Sequence, residues 1–370
     1  MRKILVLLAI IMGGVSCDTS PDLVNCDFDE QEMLSNYSDE LIIPRLTDFS
    51  LSLLLFESRV NEFAATPSIG LLNEVRILYG TAYLQYQECS AFQFGPGLIS
   101  GVPFTERFNT FPTYTLAILD NVSNGLEVTS AAKSSVGFPA IDYLLFVEPG
   151  TSNDDVLSLF TADALAANRM TYLQQLATEL KTVSAQMEQG WLASGGNYRT
   201  TFINNTGTAE GSSISLLANS FNFDFETMKN FKFKIPLGKF NGGIVLPEKV
   251  EAYYAEESIQ LVKAQLEGFK LIYEGTGTNG ADGPGFYEYL ACLEITSMSG
   301  GLLADDIRSQ FESIEQALEP VSDPISEALV SDFATVDNIY SQMQIMVPKI
   351  KHEMTSALTV QINYQDNDGD

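Results

Sequence analysis

The chain has 370 residues, of which 45% are hydrophobic and 18% are charged. This composition excludes a disordered or collagen-like chain, and the length favours two domains over one. The formal net charge of −28 argues against nucleic acid as a partner, because polyanions are bound by clustered Lys and Arg. His352 is the single histidine, so a Ser-His-Asp triad or a multi-histidine zinc site has almost no imidazole to draw on.

The start of the chain has the features of an export signal. Two basic residues precede the apolar run Ile4–Val15, which is shorter than the ~20 residues that span a bilayer. Small residues then lead to Cys17, which resembles the diacylated cysteine of bacterial lipoprotein signals. We predict a signal with a lipidated Cys17 over 1–17, a tether over 18–27, and attachment to the membrane of a bacterial cell envelope. Outer-membrane, periplasmic and surface placement remain open, and the alternative is an ordinary cleaved signal with an incidental cysteine.

Three further cysteines follow the signal. Cys26, Cys89 and Cys292 can form at most one disulfide, and their spacing matches no zinc pattern. The alternative for each is a buried small hydrophobic residue.

Several stretches carry apolar residues at steps of three and four, the spacing typical of amphipathic helices. The predicted helical stretches are Met33–Phe63, Ala162–Trp191, Val250–Tyr273, Leu303–Leu318 and Ile325–Leu358. Pro44 lies inside the first, where a kink is expected, and Pro348 lies inside the last, where a kink or a break is expected. The third is opened by Pro247 and closed by Gly275. No segment alternates convincingly with a period of two, so the sequence predicts an all-α fold of helical bundles.

A polar, glycine-rich segment lies nearly midway along the chain after the signal. Ser194–Ser212 combines Gly, Ser, Thr and Asn, and we interpret it as a domain boundary. The predicted domains are an N-terminal helical bundle over 28–200 and a C-terminal helical bundle over 201–370. A functional loop inside one domain has the same composition, so this alternative stays open.

One motif carries a family resemblance. Gly137–Phe146 reads GFPAIDYLLF and resembles the signature of the imelysin family, bacterial envelope proteins with the pattern G-x-H-x-x-E, commonly followed by Y-L-L-F. Further segments resemble the family in the expected order, namely Tyr83–Pro96, Val250–Ser258 and Asp366–Asp370. The resemblance implies two four-helix-bundle-like halves with a site in the cleft between them. Some members of the family are described as metallopeptidases, and others are linked to iron uptake.

The chain departs from this signature at both of its functional positions. Pro139 stands at the histidine position and has no side-chain lone pair, so it can neither bind a metal nor move a proton. Asp142 stands at the glutamate position and keeps a carboxylate of shorter reach, which favours at most a weak metal site and no zinc. Three interpretations remain for this motif, which begins at Gly137. They are a plain helix start with a carboxylate near its positive end, a remaining ligand-binding role, and hydrolysis.

Other candidate residues lie outside the signature. Glu251 is predicted to share a helical face with Tyr254 and Ser258, close to the cleft that the resemblance implies. Arg199 is one of few cations near the predicted boundary and could pair with a buried carboxylate or an anionic ligand. The alternatives are an ordinary first-turn acid for Glu251 and a surface ion pair for Arg199. His352 is predicted to lie exposed on a solvated helix face.

The sequence favours a non-catalytic cell-envelope lipoprotein that binds a small ligand or a metal and, by resemblance, is associated with iron or metal acquisition. Its expected partners are the membrane, through the lipid anchor, and other envelope uptake proteins. One alternative is an imelysin-type metallopeptidase whose metal ligands are all oxygens. The other is a structural or adhesive surface lipoprotein.

Overall fold

The computed structural model describes residues 26–364. The predicted signal, Cys17, most of the tether and the acidic tail lie outside these residues. Within them the fold is all-α, as predicted, apart from a short antiparallel hairpin between Leu98–Ile99 (β1) and Val102–Pro103 (β2). Over this part of the chain, no helix has the length and apolarity needed to cross a membrane.

The α-helices follow one another in chain order, and π-helical segments continue three of them. The α-helices are α1 (Glu30–Asn36), α2 (Ile43–Ala65), α3 (Ile69–Cys89), α4 (Thr105–Phe108), α5 (Thr115–Asn124), α6 (Gly137–Phe146), α7 (Asn153–Thr161), α8 (Ala166–Trp191), α9 (Tyr198–Asn204), α10 (Ser213–Thr227), α11 (Ser258–Glu274), α12 (Phe286–Cys292), α13 (Leu303–Leu318), α14 (Ile325–Ser331), α15 (Phe333–Pro348) and α16 (Thr355–Ala357). The π-helical segments are Tyr37–Ile42, Met228–Lys234 and Lys349–Met354. Short 3₁₀ turns occur at Gly95–Gly97, Val128–Ser130, Lys133–Ser135 and Pro247–Lys249.

The long helices pack around one connected apolar core. In the first half, α2 packs against both α3 and α8, and in the second half α13 packs against α15 and α11. The two halves meet where α3 packs against α11. Gly268 on α11 allows this close approach, because a Cβ at that position would lie 3.1 Å from the Cα of Glu88 on α3. The two halves are therefore in close contact along α3 and α11.

The prolines inside the predicted helices coincide with π-helical turns. The segment Tyr37–Ile42 ends just before Pro44, and the segment Lys349–Met354 begins just after Pro348. Proline lacks the N–H for the ordinary helical bond and crowds the preceding turn, and the wider π-helical turn ahead of Pro44 relieves this crowding, whereas the π-helical turn at Pro348 follows the proline. The chain stays helical through both prolines, so the break considered for Pro348 does not occur.

The predicted helix over 250–273 is wrong in its first part. Its helical region, α11, begins only at Ser258, and the residues before it form a series of tight turns. Ala252 and Glu256 have φ angles of 48° and 59°, in the left-handed region that an α-helix does not use. The helical spacing of apolar residues extends through this stretch and led to the wrong prediction. Contacts with the first half of the chain hold its backbone in turns instead.

The first described residues pack against the second half. Cys26 forms a disulfide with Cys292 of α12, and Cys89 is a free, buried cysteine. The Tyr37 hydroxyl donates to the carbonyl of Ile272 on α11, at 2.8 Å. The domain division at 200 and 201 stays a prediction, but these contacts place the segment before α2 with the C-terminal helices.

Candidate functional site

The signature segment forms the buried helix α6, which begins at a glycine in the left-handed region. Gly137 has a φ of 74°, and a Cβ at this position would lie 2.3 Å from the carbonyl oxygen of Phe108. Only glycine meets both requirements without displacing the neighbouring backbone. Pro139 follows in the first helical turn, where its missing N–H costs no hydrogen bond, and it is buried. The helix is further held by Phe138, whose ring stacks on Tyr83 at 4.3 Å between centroids.

Asp142 is fully buried, and its carboxyl group is hydrogen-bonded to backbone groups of the second half of the chain. Its two carboxyl oxygens accept hydrogen bonds from the backbone N–H groups of Tyr254 at 3.1 Å and Ala255 at 2.9 Å. Burial raises the pKa of Asp142 to about 8, although the two backbone hydrogen bonds act in the opposite direction. Burial therefore favours the neutral form of this carboxyl, and the carboxyl anchors the turns that precede α11.

The anchored turns carry three of the residues predicted as site candidates. Ser258 donates its hydroxyl to the carbonyl of Glu251, which closes the turn segment 251–258 on itself. The Tyr254 ring packs edge-on against Tyr143 of α6, at 5.2 Å between centroids. These contacts fix the backbone around Glu251. The predicted shared helical face is absent, because this stretch is not helical.

Glu251 is the centre of a buried polar network. One carboxylate oxygen accepts hydrogen bonds from Tyr83 at 3.1 Å, Gln87 at 2.9 Å and Asn109 at 2.6 Å. The other oxygen lies 2.7 Å from the Nζ of Lys232, and both side chains are at least 96% buried. Lys232 also donates to the Gln87 side-chain oxygen at 2.8 Å. Burial lowers the pKa of Lys232, whereas Glu251 favours its charged form.

Asp224 on α10 forms a second buried carboxylate beside this pair. One of its oxygens accepts hydrogen bonds from Ser90 and from the Gln265 side-chain amide at 3.0 Å, and the other accepts from Gln93 at 3.1 Å. Burial raises the pKa of Asp224 to about 6, despite these hydrogen bonds and the nearby Lys232. The site thus combines two carboxylates and one ammonium group within a desolvated region.

A cavity of about 340 Å³ opens above this network, between the two halves of the chain. Polar groups from both halves form its floor, aromatic and aliphatic side chains form its walls, and Glu106 and Lys133 form an ion pair at its edge, at 3.1 Å. The lining residues are Tyr86, Gln93, Pro103, Thr105, Glu106, Asn109, Thr110, Phe111, Lys133, Phe223, Asp224, Thr227, Met228, Phe231, Lys232 and Gln265. A concave, largely apolar pocket with a few fixed polar groups is the usual form of a small-molecule site.

The comparisons with known proteins agree with this architecture. The family model described as Imelysin matches residues 42–345. The chain belongs to the imelysin family. Among solved structures, an iron-regulated protein A precursor from Parabacteroides distasonis ATCC 8503 aligns with a TM-score of 0.72 at 15% identity, over 89% of this chain and 95% of that one. An imelysin-like protein from Psychrobacter arcticum 273-4 aligns with a TM-score of 0.68 at 16% identity, over 92% and 99% of the two chains.

At these identities the two structures establish the shared fold alone. A search of curated proteins finds no match to the sequence.

The donor set of this imelysin-family protein does not fit a metal at the signature. Within residues 26–364, no three or more His, Cys, Asp or Glu side chains are placed to hold a metal ion together. Pro139 offers no donor, and both oxygens of Asp142 already accept backbone N–H groups. We therefore assign no chemistry to a metal at this position.

The remaining predicted residues lie elsewhere. Arg199 forms a surface ion pair with Asp39 through two hydrogen bonds of 2.5 and 2.6 Å, and it does not line the cavity. His352 is exposed in the π-helical segment Lys349–Met354. Neither residue contacts the network around Glu251.

Sequence reasoning missed the other half of the network. Asp224 and Lys232 are buried charges on α10 and on the π-helical segment that continues it. The available signal was the alternation Phe231, Lys232, Phe233, which places a charge inside an apolar stretch. A buried charge needs a partner, and that partner, Glu251, lies in the turn before the next helix.

Proposed function

We propose that this protein is a non-catalytic binding protein of the bacterial cell envelope, whose small ligand occupies the cavity between its two halves. The observation that carries the proposal is the cavity itself, with a floor of hydrogen-bonded charged groups and walls of aromatic side chains. Such a pocket provides orientation through its floor and burial of apolar surface through its walls. The lipidated Cys17 would attach the protein to the membrane.

The arrangement of the polar groups favours binding over catalysis. A general base must be within reach of a substrate proton, and a nucleophile needs an adjacent base. Both oxygens of Glu251 are engaged by protein groups, and Lys232 is held by Glu251 and Gln87. The floor therefore acts as a fixed electrostatic surface.

The association with iron comes from the relatives. The Parabacteroides distasonis protein that shares this fold is named an iron-regulated protein, and imelysin-family members resemble this chain over most of its length. We propose that this protein likewise serves iron or metal acquisition, together with other envelope uptake proteins. Because its signature lacks a metal donor set, the ligand would be an organic molecule or a metal carried by one.

A substitution that fills the cavity tests this proposal. Thr227 lines the cavity, and its hydroxyl bonds the carbonyl of Phe223 four residues earlier. Thr81, on the exposed face of α3, makes the same bond to Ile77, so Thr81→Phe is a matched control for Thr227→Phe. Thermal-shift and calorimetric titrations would use ferric citrate, free Fe²⁺ and Zn²⁺, and small organic acids and amines.

We expect at least one of these compounds to bind the wild type and Thr81→Phe and to lose affinity for Thr227→Phe. If none of them shows cavity-dependent binding, the proposal is refuted and a structural or adhesive role is favoured. Peptide cleavage that a chelator inhibits, and that Glu251→Gln abolishes while circular dichroism shows the variant still folded, would instead establish the metallopeptidase alternative.

A further inference from the structure

The charges around the cavity floor leave one negative charge uncompensated. Asp224 and Glu251 provide two carboxylates, and Lys232 provides the single buried ammonium group, already held by Glu251. At the edge of the cavity, Glu106 and Lys133 compensate one another. A ligand that brings a positive charge would complete this balance, whereas an anion would add to the excess.

A residue that lines the cavity also has a buried hydrogen-bond acceptor without a donor. The side-chain oxygen of Gln265 is buried and has no hydrogen-bond partner, and the residue is 4% exposed and lines the cavity. Its amide nitrogen donates to Ser90 at 3.1 Å and to Asp224 at 3.0 Å, and this pair of bonds fixes which end of the amide is the oxygen. An unsatisfied buried acceptor costs free energy, so a ligand N–H that reaches it gains affinity.

The cavity walls suit a cation with an apolar group. Phe111 and Phe231 meet edge-to-face at 6.1 Å, and Tyr86 and Phe223 also line the cavity. The faces of aromatic rings attract cations, by about 0.5–2 kcal/mol per contact, and their area buries apolar groups. The net charge of −28 over the whole chain further attracts cations and repels anions.

We propose that the cavity binds a small protonated amine that carries an apolar group, with Asp224 as the counter-ion of the ammonium and the Gln265 oxygen as a second acceptor. This inference rests on the proposed function, because it assigns a ligand class to the same cavity. The aromatic walls would enclose the apolar group.

An isosteric series of probes tests the inference. 2-Phenylethylamine, 2-phenylethanol and phenylacetate have closely similar shapes and differ in charge. We expect calorimetry to show at least tenfold tighter binding of the amine than of the alcohol, and no saturable binding of phenylacetate. Asp224→Asn should weaken the amine at least tenfold and leave the alcohol within about twofold, since one charged contact is worth roughly this much. Asp154→Asn, which removes an exposed acid on α7, is the charge-matched control.

A second measurement needs no variant. Burial raises the pKa of Asp224 to about 6. The carboxyl is surrounded by Ser90, Gln93, Gln265 and Lys232, and Glu251 and the Tyr86 hydroxyl are the other titratable groups that act on it. The amine stays protonated between pH 7 and pH 5, whereas Asp224 takes up a proton. Its affinity should therefore fall about tenfold over this range, while the affinity of the alcohol stays constant.

Equal affinity for the amine and the alcohol, preference for phenylacetate, or no measurable amine binding would overturn the inference. In these cases, another compound that loses affinity for Thr227→Phe would still support the proposed function. Only the absence of every cavity-dependent ligand would refute both.

Discussion

Asp142 makes the stability of the folded chain depend on pH in a specific direction. Its pKa is about 8 in the folded state, against an ordinary value of 3.8 that applies to the unfolded chain. Between these values the folded protein holds a proton that the unfolded chain releases. The contribution of Asp142 to stability is therefore fully present below about pH 4 and is lost progressively as the pH rises to 8. For one proton the slope is about 1.4 kcal/mol per pH unit.

Asp142→Asn separates this proton from the hydrogen bonds of the same side chain. The amide oxygen can accept one backbone N–H, but the amide nitrogen then faces the other, at Tyr254 or Ala255. The lost bond and the unsatisfied buried groups should destabilise the variant by about 1–3 kcal/mol at pH 5. Because the variant has no proton to lose, the difference from wild type should shrink by about 1.4 kcal/mol for each unit of rising pH.

Urea denaturation at pH 5, 6 and 7 measures both effects, with the free energy of unfolding taken from the midpoint and slope at each pH. Asp154→Asn, an exposed acid, is the control and should run parallel to the wild type. If Asp142→Asn also runs parallel to the wild type, the folded carboxyl is already ionised at pH 5. Burial would then not raise the pKa of this carboxyl above 5.

Three further predictions concern other parts of the molecule. Gly137→Ala should destabilise the chain by about 1–3 kcal/mol more than Gly101→Ala in urea denaturation. Both glycines have positive φ angles, but only Gly137 is crowded by neighbouring backbone, so equal destabilisation would show that this crowding has no energetic cost. Glu251→Gln should cost about 3–5 kcal/mol by leaving Lys232 unpaired, and adding Lys232→Met should recover at least half of the loss, whereas additive losses would show that the two residues are not coupled. Cys17→Ser should move the protein from the detergent phase to the aqueous phase, and an unacylated wild-type N-terminus would contradict the prediction of lipidation.

Helix positions could be predicted because each helix repeats its apolar contacts every three to four residues. The shape of the helices at Pro44 and Pro348 could not, since a proline can kink, break or widen a turn, and the surrounding packing decides which of these occurs. The start of α11 is a further example. The turns before Ser258 are stabilised by Asp142, which lies more than a hundred residues earlier, and no local pattern reports this contact.

The candidate site was predictable only where a motif marked it. The resemblance singled out Asp142 and Glu251, and the structure connects the two through the turn segment 251–258. Asp224, Lys232 and Gln265 come from separate elements that converge only in the folded chain. Their chemistry depends on burial and on one another, and neither is visible in the local sequence.

The position of Asp142 gives the signature helix a role that needs no contact with a ligand. Its carboxyl holds the backbone of Tyr254 and Ala255, and this backbone leads directly to Glu251, which in turn holds Lys232 at the cavity floor. A substitution at Asp142 would therefore affect the cavity by displacing Glu251 and Lys232. The same reasoning accounts for Pro139, since a buried residue in the first turn of a supporting helix requires shape and no donor atom. In this chain the signature supports the cavity floor from behind, and the floor residues Asp224, Lys232 and Gln265 lie on α10, the π-helical segment Met228–Lys234 and α11.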